Sequence, residues 1–255
     1  MRTYVIVLAA VTMLFACEKK DKDTKKTNKP TTKQPTGKPG VTPKTTPKTT
    51  PKTTPKTTPK TPAKPLSAEL QDPTKNTAKA PDKFKAKFVT TKGDFVIEVT
   101  RAWSPNGADR FYNMVKIGYF TDISFFRAVK GFMVQFGIHG DPRIASTWLQ
   151  SNIQDDPVVK SNTRGFVTFA KSRAPNSRSV QIFINYADRN AALDKQGFSP
   201  FGKVGPAGMK VVDSLFTGYG GKTTSAQGTI ARQGNTWLKA NYPELDYIKS
   251  ASLVK

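Results

Sequence analysis

The run Ser124-Phe125-Phe126-Arg127-Ala128-Val129-Lys130-Gly131-Phe132-Met133-Val134-Gln135 decides how the rest of this chain is read. Two short β-like stretches, Ile123 to Val129 and Phe132 to Phe136, meet across Lys130-Gly131. Upstream, Phe88-Val89-Thr90 leads into Thr91-Lys92-Gly93-Asp94. Phe95, Ile97 and Val99 then alternate with Val96 and Glu98, the period-two burial of a hairpin over Lys87 to Val99. A helix follows. Ser104 suits its N-cap and Pro105 its first position. Ala108, Phe111, Tyr112 and Val115 form one apolar face, and Gly118 supplies the stop. Further β-like stretches are Phe166 to Ala170, Gln181 to Asn185 and Phe201 to Val204. A second helix runs from about Pro206 to Phe216, with Met209, Val212, Leu215 and Phe216 inward and Gly218 ending it. A short helix falls near Asn235 to Ala240, and Tyr247 to Val254 reads as a last strand. Many short strands with two or three helices predict a mainly β fold, a closed or nearly closed antiparallel barrel with helical lids.

The 255 residues carry 41 Lys and Arg against 18 Asp and Glu, a net charge of +23. The excess is uneven. Between Glu18 and Lys64 stand fourteen Lys and three acids, with Val41 and Ala63 the only apolar residues. Such a stretch cannot bury a core. From Pro43 it repeats Pro-Lys-Thr-Thr four times. Proline every fourth residue removes backbone donors and fixes φ, so neither helix nor sheet propagates. We read residues 17–82 as a disordered linker, about 65 residues long, which reaches ~200 Å when extended. Its lysines fit either a solvated spacer or a contact for envelope polyanions. Nucleic acid is not expected as a partner, because no aromatic stacking residue stands among those lysines. Residues 83–255 are the length of one domain, expected to be monomeric. A single cysteine, Cys17, rules out a disulfide-stapled fold. One Cys and one His (His139) argue against a metal site, and no cofactor is expected.

Ahead of the linker, residues 1–16 read as a signal peptide: Met1-Arg2 is a short positive start and Tyr4 to Ala16 is mostly apolar. Thirteen residues are too few to span a bilayer as a helix, but suit the core of a secretory signal. Leu14-Phe15-Ala16-Cys17 resembles a bacterial lipobox. That resemblance implies acylation of Cys17, cleavage just before it, and a mature protein held by lipid at a membrane outside the cytoplasm.

The central run resembles the core motif of the cyclophilins. Gly165-Phe166-Val167-Thr168-Phe169-Ala170, Ser179-Val180-Gln181-Ile182-Phe183-Ile184-Asn185, Leu193-Asp194 and Phe201-Gly202-Lys203-Val204 follow in that family's order. The resemblance covers about Phe84 to Val254. It implies a closed eight-stranded antiparallel barrel capped by two helices, and peptidyl-prolyl cis–trans isomerase activity on proline-containing polypeptides. It also implies roles for particular residues: Arg127 as the catalytic donor, Phe132, Met133, Phe183 and Leu193 as walls of the proline pocket, Gln135 as the polar residue orienting the arginine, and Ala170 lining the peptide groove. Phe198 stands where animal members carry a histidine, Phe126 where many members have one, Phe136 in place of a glycine, and Ala192 in place of a tryptophan that binds cyclosporin. These altered positions also leave open a peptide-binding or holdase module with weak catalysis.

The chemistry suits these residue types. Rotation about an Xaa-Pro bond meets a barrier of ~18–20 kcal/mol from amide resonance. Lowering it needs no nucleophile, metal or proton carrier. It needs an apolar slot for the pyrrolidine ring and a fixed donor that bonds the twisted amide more strongly than the planar one. A guanidinium meets that need better than an ammonium. No Ser-His-Asp arrangement accompanies His139, for which a structural role is expected.

Overall fold

The computed structural model describes residues 66–254. The signal-like segment, Cys17 and the Pro-Lys-Thr-Thr repeat lie outside the described residues. In chain order the elements are α1 (Ala68–Gln71), β1 (Lys83–Thr90), β2 (Gly93–Thr100), α2 (Pro105–Lys116), β3 (Ile123–Ser124), β4 (Arg127–Val129), β5 (Met133–Phe136), α3 (Pro142–Trp148), β6 (Phe166–Phe169), β7 (Ile182–Asn185), β8 (Pro200–Val204), α4 (Pro206–Asp213), α5 (Gln227–Asn241) and β9 (Tyr247–Leu253). A long 3-10 segment, Asp188–Gln196, joins β7 to β8.

The strands make one antiparallel sheet of nine, in the order β3-β9-β1-β2-β8-β6-β7-β5-β4. The expected closed barrel of eight strands is therefore corrected to a curled half-barrel of nine. The stretch Ile123 to Val129, read as one strand, is two, and these are the sheet's opposite edges. Only Phe125 and Phe126 separate them, so the sheet must curl to bring its edges together. No ladder joins the two among the described residues. The backbone groups between them are taken elsewhere: the Phe125 N–H donates to the Asp246 carbonyl at 2.9 Å, and the Phe126 carbonyl accepts from the Thr223 hydroxyl.

The first hairpin forms as read. Phe95, Ile97 and Val99 are buried and Glu98 is exposed. Gly93 closes the turn at φ +123, a conformation that glycine alone adopts easily. Helix α2 lays Ala108, Phe111, Met114 and Val115 on the main core, while Tyr112 is half-buried and edge-on to Phe84. Its cap differs from expectation. Ser104 makes no capping bond to the helix. Instead Asp156, from a distant loop, accepts the N–H groups of Asn106 and Gly107 at 3.1 and 3.0 Å and the Ser104 hydroxyl at 2.6 Å. A carboxylate bonds those N–H groups more strongly than a hydroxyl and also answers the helix dipole. Helix α4 ends at Asp213, well before Gly218, with Met209 and Val212 buried.

Two helical features exceed the sequence expectation. Helix α3 was not anticipated. The short helix near Asn235 is the second half of α5, broken at Gly234 (φ 60, ψ −153). A Cβ at Gly234 would sit 2.1 Å from the Gly140 carbonyl oxygen, so the break needs glycine. These helices cover a second core of Phe126, Ile138, Ala145, Ile230, Leu238, Leu245 and Tyr247. Of the segment read as linker, residues 66–82 are described and pack on the domain. The Trp148 indole N–H donates to the Leu70 carbonyl at 2.8 Å, the Asn113 amide to the Ala78 carbonyl at 2.7 Å, and the Ala80 N–H to Asp109 at 2.8 Å.

Candidate active site

A third apolar cluster stands apart from both cores. Met133, Phe183, Leu193 and Phe198 are buried in it, with Phe132 and Ala170 packed against its edge. All six are residues picked out in sequence for the proline pocket and groove. The pleat explains the separation. Across β5 and β7, Met133 pairs with Asn185 and Gln135 with Phe183, while Val134 pairs with Ile184 and Phe136 with Ile182. Alternate residues point to opposite faces. Val134, Phe136, Ile182 and Ile184 therefore enter the main core, and Met133, Gln135 and Phe183 face the other way. The Phe183 and Phe198 rings meet edge-on at 5.8 Å.

The same face carries the polar part of the site. Arg127 pairs with Gln135 in the β4–β5 ladder, and Gln135 with Phe183 in the next, so the three lie in one row. Arg127 Nη1 donates to Gln135 Oε1 at 3.2 Å, and Gln135 Nε2 donates to Gln181 Oε1 at 2.7 Å. Gln181 in turn accepts the Ala170 N–H on its backbone oxygen at 2.8 Å. The guanidinium carbon lies 5.8 Å from the Phe132 ring centroid, within reach of a cation–π contact. Burial pulls the Arg127 pKa below its ordinary value, but an arginine remains charged there. Its Nε is buried without a hydrogen-bond partner.

A polar network behind the cluster holds its walls and was missed in sequence. Asp194 accepts from the Ser161 hydroxyl at 2.5 Å and from the Asn162 backbone and side-chain N–H groups at 2.9 and 2.7 Å. Asn162 also donates to the Phe198 carbonyl at 2.8 Å and accepts from Thr168 at 2.8 Å. Asn190 donates to the Phe132 carbonyl at 2.6 Å and to Asn185 at 2.8 Å. Leu193 and Phe198 thus sit on a loop fastened at both ends to the sheet. Each of these side chains is ordinary in a loop, and only the fold shows that they converge. The one readable signal was the Leu193-Asp194 pair inside a matching motif.

Two of the altered positions fall elsewhere. Phe126 is fully buried in the second core and Phe136 in the main core, so neither belongs to this cluster. Phe198 does. His139 is buried edge-on to Tyr119 at 5.2 Å, and its Nδ1 accepts the Asp141 N–H at 2.9 Å. Burial, opposed by nearby Asp141, lowers its pKa to about 4, so it is neutral near pH 7. It packs and caps a turn. Among the described residues no three His, Cys, Asp or Glu side chains gather as a metal would require.

Residues 85–234 match the family model for "Cyclophilin type peptidyl-prolyl cis-trans isomerase/CLD", more than half of the chain. The chain belongs to the cyclophilin-type peptidyl-prolyl cis–trans isomerases, and it is an enzyme of that class. Peptidyl-prolyl cis-trans isomerase B of Escherichia coli is 30% identical over 135 residues, covering 50% of this chain and 81% of that one. Peptidyl-prolyl cis-trans isomerase-like 3 of Rhizopus delemar is 36% identical over 124 residues, covering 45% of this chain and 71% of that one. Among solved structures, the cyclophilin AquaCyp293 from Hirschia baltica aligns with a TM-score of 0.49 at 18% identity, over 68% of this chain and 75% of that one.

Proposed function

We propose that Arg127 is the residue through which this isomerase lowers the Xaa-Pro barrier. The pyrrolidine ring enters the cluster of Phe132, Met133, Phe183, Leu193 and Phe198, and the preceding peptide runs past Ala170. As the amide twists, its resonance is lost and the nitrogen lone pair becomes a better acceptor. The guanidinium, charged and held by Gln135, donates near that nitrogen and steadies the carbonyl side. The bond strengthens as planarity is lost, so it favours the transition state over either planar isomer. The observation that supports this reading is the position of Arg127, bonded to Gln135 and in one row with Phe183 of a cluster that is separate from the core.

The test is turnover of a short Xaa-Pro peptide by the full chain, followed by exchange NMR or coupled proteolysis. Arg127→Ala is expected to lower kcat/KM about 100-fold or more, with the fold intact by circular dichroism. Arg127→Lys keeps the charge but loses the planar fork, and recovers little of the loss. Unchanged turnover in Arg127→Ala would place the catalytic donor elsewhere.

On the same reading, the chain is exported, acylated at Cys17, and anchored to a bacterial membrane by lipid. The basic segment lifts the domain clear of the surface. Its substrates are then secreted or envelope proteins whose folding waits on proline isomerisation, a step of tens of seconds when uncatalysed. The support is the N-terminal sequence itself.

A further inference from the structure

We infer that the mouth of the proline pocket selects peptides with a carboxylate side chain close to the proline, and that Lys130 and Arg189 are the residues that read it. This rests on the isomerase site proposed above. Arg189 is carried on the 3-10 segment that also supplies Leu193. Its Nε donates to the Gly131 carbonyl at 3.0 Å. The guanidinium lies across Gly131, where a Cβ would come within 3.1 Å of Nη2. Gly131 is in the left-handed region at φ +70, and its lack of a side chain leaves the room that the guanidinium fills. One cation is thus pinned to the turn that leads directly into Phe132, the pocket wall.

That pinning uses Nε alone. The two terminal nitrogens have no protein acceptor among the described residues, which leaves the fork that fits a carboxylate. Lys130, next in the same turn, is exposed and joins no ion pair among the described residues. The Arg127 guanidinium carbon lies 5.8 Å from the Phe132 ring centroid. The acids near the pocket are engaged. Asp194 is held by Ser161 and Asn162, and Asp155 by Lys171 and Arg178. Asp188, next to Arg189, accepts the Arg164 backbone N–H at 3.0 Å and makes no ion pair with Arg189. The neighbouring Arg164 is neutralised by Asp213 at 2.6 Å. Lys130 and the terminal nitrogens of Arg189 thus stand at the turn without an ion-pair partner among the described residues, while Asp188 and Asp194 are held by neutral groups and not by either cation.

The test uses the full chain and matched peptides with a single proline, carrying Glu, Gln or Lys within two residues on either side of it. Both kcat/KM and the dissociation constant, by NMR titration, are measured at low and at high salt. At low salt the best Glu peptide is expected to exceed its Lys counterpart by about five- to twenty-fold in kcat/KM. The preference should shrink below about two-fold near 1 M salt, where the screening length is ~3 Å. In the Lys130→Gln/Arg189→Gln variant the Glu-to-Lys ratio should approach one. Arg127 and the linker lysines are untouched in that variant, so a preference that survives in it belongs to those cations and overturns the inference. Equal handling of Glu and Lys peptides by the wild type, in a chain that turns over the Gln peptide, also overturns it while leaving the isomerase reading intact. If no peptide is turned over, the Arg127 mechanism fails, and the ratio of dissociation constants still decides the matter of charge.

Discussion

Arg178 has no exposed surface, and its charge is met inside the domain. An arginine usually keeps its charge in solvent. Instead one terminal nitrogen donates to Asp156 at 2.9 Å and to the Gln154 carbonyl, and the other to Ser104 at 3.2 Å. Asp156 in turn caps α2. This buried pair therefore joins two parts of the chain that sequence cannot bring together, since Ser104 and Arg178 are 74 positions apart. Gly107 belongs to the same seat: a Cβ there would lie 2.8 Å from the Ser104 hydroxyl oxygen and 3.3 Å from the Arg178 guanidinium. Removing Asp156 leaves buried Arg178 with only the longer Asp155 contact at 3.4 Å, and breaking a buried pair from one side costs about 3 kcal/mol or more. Asp156→Ala should lower the melting temperature by roughly 6–12 °C, read by calorimetry. Adding Arg178→Met should return part of that loss, because it removes the stranded charge. A shift under about 2 °C in the single variant would mean that the pair does not hold the loop to the helix.

At the scale of elements, the least expected is the strap formed by residues 66–82. Its composition departs from that of the basic repeat, with three acids (Glu69, Asp72, Asp82) against two lysines (Lys75, Lys79), and its Leu66 and Leu70 pack against the main core. The Asp82 carbonyl accepts the Arg101 N–H at 2.8 Å, so the strap is fastened at its exit as well. It also bridges α2 across a cavity of about 480 Å³ lined by Ser67, Lys75, Asn113 and Lys116 among others. Cutting the chain at Lys83 would leave the indole N–H of buried Trp148 without its acceptor and lose three further bonds, those of Ala78, Ala80 and Asp82. At about 1 kcal/mol for each bond, the loss should come to roughly 4 kcal/mol. A chain beginning at Lys83 should therefore melt about 8–16 °C below one beginning at Pro65. Equal melting points would show that the strap rests on the domain without supporting it. The strap was not legible because its bonds run mostly through backbone carbonyls, which no residue type advertises.

For the whole molecule, the reading proposed above is a catalytic domain joined to a lysine-rich segment. No helix among the described residues is long and apolar enough to cross a membrane. Retention at a membrane would then depend on the lipid proposed at Cys17. Cys17→Ser is expected to abolish labelling by a radioactive fatty acid and to move the protein from the membrane pellet to the soluble fraction, in cells or spheroplasts. A labelled protein, or an unlabelled one that still pellets, would remove the lipid anchor from the account. Two or more acyl chains are needed for stable attachment, so labelling stoichiometry reports on the same point.

By itself the sequence determined the hairpin over Lys87 to Val99, the α2 face, and the pocket set of Phe132, Met133, Phe183, Leu193 and Phe198. These are local facts: period-two and helical periodicities, and a family motif whose spacing survives in one dimension. Tertiary structure alone decided three things. It opened the ladder between β3 and β4, because the backbone of Phe125 and Phe126 bonds to Asp246 and Thr223 instead. It buried Arg178 against Asp156 and made that acid the cap of α2. It also separated the pocket from the core, because the pleat sends Gln135 and Phe183 to one face and Val134 and Ile184 to the other. The reason is common to all three. Each depends on which distant group occupies a hydrogen bond or a face, and residue type does not record that occupancy.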